Sequence, residues 1–107
     1  MIRPFALLFC LGAMPALAAP TLGQQIALHG NANGALPCAA CHGADGAGKP
    51  AIGAPALAGL PAAAIQSTLI QYAQGHGGNA IMQSIAHALS PAETQAVATY
   101  FAGLPKP

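Results

Sequence analysis

Cys38 and Cys41 are two thiols three positions apart, and His42 places an imidazole directly behind the second, in the order Cys38-Ala39-Ala40-Cys41-His42. On one helical turn both thiols can reach vinyl groups along one edge of a macrocycle while the imidazole is directed to its iron, which is the chemistry of covalent haem attachment. The C-x-x-C half alone is less specific. It also serves thioredoxin-like redox sites, which want a βαβ context, and structural zinc sites, which want further ligands from a second Cys or His pair. The sequence offers neither, and a plain Cys38–Cys41 disulfide is the remaining competitor in an exported protein.

An iron that passes electrons without binding small molecules needs a second axial ligand. The candidates are His29, His76, His87 and Met82. Met82 is the sole methionine once the leader described below is removed, and its soft thioether suits reduced iron, raising the potential relative to two imidazoles. Met82 and His87 are five residues apart, about 140° around a helix, so the two cannot face one iron. Ile85 and Leu89 continue the Met82 side and mark it as the buried face. Met82 is therefore the expected distal ligand, against the ordinary reading of a methionine as core filler. His29, His87 and His76 read as surface or loop histidines, with His76, in its glycine turn, the one alternative.

The elements that must hold these residues are helical. No period-2 alternation runs through the chain after the leader, whereas several stretches have the spacing of amphipathic helices, so the fold is expected to be all-α. A first helix is predicted over Thr21 to His29, with Leu22, Ile26 and Ala27 apolar and Gly30 as its stop. A second is predicted over Ala62 to Gln74, with Ile65, Leu69 and Tyr72 on one stripe, and a short one from Asn79 to Ala88. Ser90-Pro91-Ala92-Glu93 combines an N-cap hydroxyl, a proline at the first helical position and the glutamate of a capping box, opening a last helix that runs to about Ala102. Val97, Tyr100, Phe101 and Leu104 are its candidate core residues. Between Gly43 and Pro61 the chain is punctuated by Gly and Pro too often for regular structure, and a loop that long inside a small domain is usually functional.

Residues 1–18 have one cation at Arg3, an apolar run from Phe5 to Ala13 and small residues at Ala16 and Ala18, which is the pattern of a secretory signal peptide cleaved after Ala18. The run is shorter than the roughly 20 apolar residues a membrane anchor needs. Cys10 follows the bulky Phe9 rather than the small residue expected before a lipid-modified cysteine. The expected location is the periplasm, in soluble form, as one domain over residues 19–107. That domain keeps Lys49, Lys106, Asp45 and Glu93 as its formal charges, two of each sign. So neutral a surface excludes an electrostatic footprint for nucleic acid and leaves docking mainly apolar.

From Gly23 to Leu104 the chain resembles the bacterial class I c-type cytochromes, especially the short monohaem domains that also occur as tandem dihaem proteins. The resemblance is carried by Cys38-Ala39-Ala40-Cys41-His42-Gly43, Asp45-Gly46-Ala47-Gly48, Pro55-Ala56-Leu57-Ala58-Gly59, Met82 with Ile85-Ala86 and Leu89-Ser90, and Ala98-Thr99-Tyr100-Phe101. It implies a cytochrome c-like fold, short helices and long Gly/Pro loops around one covalent haem c, with thioethers from Cys38 and Cys41, His42 as proximal ligand and Met82 as distal ligand. It further implies that Gly23 meets Tyr100 or Phe101 where the terminal helices cross, and that the Pro55 carbonyl accepts the imidazole N–H. Three positions depart from the family pattern: Ala27 and Ala64 where tyrosine is common, and His76 where an arginine often stands near a haem propionate. Burial of about 400 Å² of macrocycle would contribute roughly 10 kcal/mol, as much as the net stability of a small domain, so the apoprotein is expected to be poorly folded.

Three functions stay open at this point. The first is a soluble carrier of single electrons between a membrane complex and a terminal oxidase or reductase, with no residue acting as acid, base or nucleophile. The second is a tightly bound cytochrome subunit taking electrons from a periplasmic dehydrogenase, favoured by the weak long-range steering of a neutral surface. The third is a haem enzyme or gas sensor with an open iron position, which requires Met82 to be unligated.

Overall fold

Spacing of apolar residues is realised as five short helices in a computed structural model that describes residues 19–107. They are α1 (Leu22–His29), α2 (Ala39–His42), α3 (Ala62–Ala73), α4 (Ala80–His87) and α5 (Pro91–Ala102), with one 3-10 turn at Pro50–Ile52. The expected leader, its Cys10 and its cleavage point lie outside the described residues. Among the described residues there is no strand, in keeping with the all-α expectation, and no helix is long and apolar enough to cross a membrane.

Helix starts are written in the local sequence. The hydroxyl of Thr21 accepts from Gln24 N–H at 3.2 Å, the Asn79 side chain from Met82 N–H at 2.8 Å, and the Ser90 hydroxyl from Glu93 N–H at 3.1 Å. Each takes one of the N–H groups that a helix leaves without an internal partner. At Ser90 the box is complete, because Ser90 N–H donates back to Glu93 Oε1 at 2.9 Å.

The helices bury one cluster in which Val97 and Phe101 of α5 are the largest fully enclosed side chains, joined by Ile26 and Ala27 of α1, Ile65 and Leu69 of α3, and Ile85 and Ala86 of α4. Tyr100 and Leu104 are half-buried against it, with the Tyr100 ring edge-on to Phe101 at 5.2 Å between centroids. Helices α1 and α5 cross with their backbones nearly touching. A Cβ on Gly23 would fall 2.2 Å from the Ala96 carbonyl oxygen and 3.0 Å from Tyr100 Cβ, so only a glycine lets them meet at this depth. Ala27, on the same helix, is fully buried in that core, whereas Ala64 is exposed on α3.

Asn31 fastens the loop after α1 to the other end of the chain. Its Nδ2 donates to the Ala88 carbonyl at 2.8 Å and to Glu93 Oε1 at 3.1 Å, while its Oδ1 accepts from Ala35 N–H at 2.9 Å and Asn33 N–H at 3.1 Å. This fixes the segment that leads directly into Cys38.

Candidate functional site

Helix α2 is a single closed turn. Cys38 is its N-cap, with helical φ −56° and ψ −38°, and its carbonyl accepts from Cys41 N–H at 3.2 Å and His42 N–H at 2.9 Å. That closure sets Cys38 and Cys41, at i and i+3, on one face of the turn. Gly43 ends it at φ +85°, a conformation in which a Cβ would also meet Asp45 Oδ1 at 2.8 Å. His42 is buried, Cys38 half-buried and Cys41 exposed, and the two thiols are free rather than joined in a disulfide. Burial pushes the Cys38 thiol above its ordinary value, against a smaller opposing effect of a backbone hydrogen bond.

The long Gly/Pro segment orients the imidazole. Gly48 N–H donates to the His42 carbonyl at 2.8 Å, and at φ +80° Gly48 slides past Pro55 so closely that a Cβ would stand 2.7 Å from Ala54 O and 2.8 Å from the Pro55 carbonyl carbon. Lys49 and Ala54 then pair across the 3-10 turn with N–H to O distances of 2.9 and 3.2 Å, an antiparallel bridge in a stretch expected to be irregular throughout. The far end is pinned by Leu57 and Ala58 N–H on the Gly46 carbonyl, at 2.8 and 3.0 Å, and by Gly59 N–H on the Phe101 carbonyl at 3.0 Å. With the segment folded back in this way, the Pro55 carbonyl lies 2.8 Å from His42 Nδ1. A carbonyl can only accept, so Nδ1 carries the proton and the lone pair is on Nε2, the arrangement a metal-ligating histidine needs.

Met82 lies in the first turn of α4, half-buried, against the same core cluster that Cys38 borders. Ile85 and Leu89 on its side are buried, as the spacing predicts, and His87 is exposed, as are His29 and His76. Asn31, Asn79, Gln83 and Lys49 were not singled out by sequence reasoning as residues that hold the site. Only Asn79, an N-cap type three residues before Met82, leaves a local signal; Lys49, whose Nζ donates to the Ala40 carbonyl of α2 at 3.2 Å, leaves none.

The donor set fits a haem iron better than zinc. Among the described residues no group of three or more Cys, His, Asp or Glu is gathered as a bare metal site would require. What the chain offers is two unbonded thiols beside a buried imidazole whose free nitrogen is Nε2, and a single thioether in residues 19–107.

A C-x-x-C-H turn with a tautomer-fixed histidine, set in short helices and held by a Gly/Pro loop, defines a c-type haem attachment site. The chain belongs to the cytochrome c family, whose model, described as Cytochrome c, matches residues 22–105. It is 45% identical over 86 residues to a thiosulfate dehydrogenase electron acceptor of Stutzerimonas stutzeri (strain A1501), a match covering 79% of this chain and 40% of that protein. Among solved structures it is similar to thiosulfate dehydrogenase (TsdBA) from Marichromatium purpuratum in its as-isolated form, with TM-score 0.75 and 35% identity over 79% of this chain and 18% of the other. It is also similar to Acidithiobacillus ferrooxidans cytochrome c4, with TM-score 0.72 and 31% identity over 77% of this chain and 48% of that one. The chain thus spans less than half the length of each of these relatives. It has the cytochrome c fold and carries covalent haem c.

Proposed function

We propose that residues 1–18 are an export signal removed after Ala18, and that residues 19–107 are a periplasmic cytochrome c domain that accepts single electrons from a dehydrogenase oxidising thiosulfate. In this reading Cys38 and Cys41 form the two thioethers, His42 is the proximal ligand and Met82 the distal one. The haem supplies a reversible ferric/ferrous couple. Everything else is done by the chain: the α2 turn spaces the thiols, the Pro55 carbonyl holds the His42 proton on Nδ1 at 2.8 Å, and burial keeps water from the imidazole. That hydrogen bond is the observation that carries the site, since it leaves His42 Nε2 as the ligating atom.

Acceptance from a dehydrogenase, rather than shuttling to a terminal oxidase, is supported by the 45% identity to an electron acceptor of thiosulfate dehydrogenase. The neutral surface supports it too, because an apolar, lasting interface suits a molecule with little long-range steering. The test mixes the purified ferric protein with a thiosulfate dehydrogenase and thiosulfate in a stopped-flow spectrometer. Complete reduction of the haem is expected. A haem that dithionite reduces but this mixture does not would overturn the assignment of the donor.

A further inference from the structure

The geometry points to Asn79, assisted by Gln83, as a positioning residue that fixes the backbone of Met82, an inference that rests on Met82 as the distal ligand. Methionine has three rotatable side-chain bonds and adapts readily, so a thioether holds one place only if its backbone is anchored. The approach to Met82 is a glycine-rich turn. Gly75, Gly77 and Gly78 all have positive φ, at +83°, +76° and +67°, and a Cβ on Gly75 would touch nothing within 4 Å. Met82 itself is the third residue of α4, where no earlier turn can accept its N–H.

Two side chains close this gap. Asn79 Oδ1 accepts the Met82 N–H at 2.8 Å, and the Asn79 carbonyl accepts Gln83 N–H at 2.9 Å, which starts the helix at a defined residue. Gln83, next to Met82, reaches back so that its Nε2 donates to the Gly77 carbonyl at 3.0 Å and the Gly75 carbonyl at 3.4 Å. The Tyr72 ring covers the same turn, close enough that a Cβ on Gly78 would lie 2.8 Å from it. The glycine turn is therefore stitched to α4 on either side of the methionine rather than left to pull its first turn open.

The test is displacement of the distal ligand by imidazole in the ferric holoprotein, followed at the Met–iron charge-transfer band. Asn79→Ala is expected to speed displacement about 2- to 30-fold, the change that corresponds to the roughly 0.5–2 kcal/mol by which losing a side-chain cap destabilises a helix. Asn79→Ser, which keeps an accepting oxygen, is expected to restore the rate. Thr21→Ala removes a cap of the same kind from α1 and is expected to lower the melting temperature while leaving displacement unchanged. If Asn79→Ala melts lower but binds imidazole at the wild-type rate, or if Thr21→Ala speeds displacement equally, Asn79 is only a helix cap and the inference fails. If instead Met82→Ala keeps the charge-transfer band, the distal ligand was misassigned, a separate failure visible in the same spectra.

Discussion

An imidazole that donates its Nδ1–H to a fixed carbonyl cannot rotate without losing that bond, so His42 presents Nε2 in one orientation. Replacing Met82 tests its proposed role as the distal ligand. Met82→His is expected to keep both axial positions filled and lower the reduction potential by on the order of 0.1–0.3 V, a part of the roughly 0.8 V range that axial ligands set. Met82→Ala is expected to open the position to carbon monoxide in the reduced protein. Potentiometric titration and a carbon monoxide difference spectrum check both, and an alanine variant with the original potential would move the ligand to another residue, His76 first. At this scale the attachment motif was legible because it is local, with its chemistry set by spacing alone. Asn31 was not, because its partners Ala88 and Glu93 are 57 and 62 residues away and nothing near Asn31 announces them.

Elements whose ends are capped by their own neighbours were readable to within a residue or so: Thr21, Asn79 and Ser90 each accept from an N–H three positions on. The Gly43-to-Pro61 segment was readable only as a loop. Its internal order comes from Gly48 passing against Pro55 and from anchors on Gly46 and Phe101, contacts that composition does not encode. The capping box of α5 makes a prediction about acid. The Ser90 backbone N–H holds the Glu93 carboxyl below its ordinary value of 4.5, against a smaller effect of desolvation and with still lesser help from Asn31 and the Ser90 hydroxyl. A depressed folded-state value means that the stabilisation is complete above the ordinary value and is lost as pH falls through the folded one. Melting curves of the wild type and Glu93→Gln across this range are expected to converge on acidification, the glutamine variant lacking the Glu93 share of the pH dependence. Parallel curves would show that the carboxylate charge contributes nothing to the box.

Over the whole molecule charge is nearly absent, with Lys49 and Lys106 against Asp45 and Glu93 in residues 19–107. Lowering the Debye length from about 30 Å to about 10 Å by raising ionic strength from roughly 0.01 to 0.1 M has little to act on here. The bimolecular rate of haem reduction by a thiosulfate dehydrogenase is expected to change by less than about twofold over that interval. A tenfold fall would show a steered encounter and an interface more polar than this surface indicates.

The close passage of Gly23 under the Ala96 carbonyl also sets an order of events in time. The joint unites points about 70 residues apart, so closing it carries the loop entropy of most of the domain, and it cannot form until α5 exists as chain. Until then the stretch containing Cys38 and Cys41 belongs to no finished structure. Both sulphurs are open to reaction in that interval, including Cys38, which is half-buried in the folded domain.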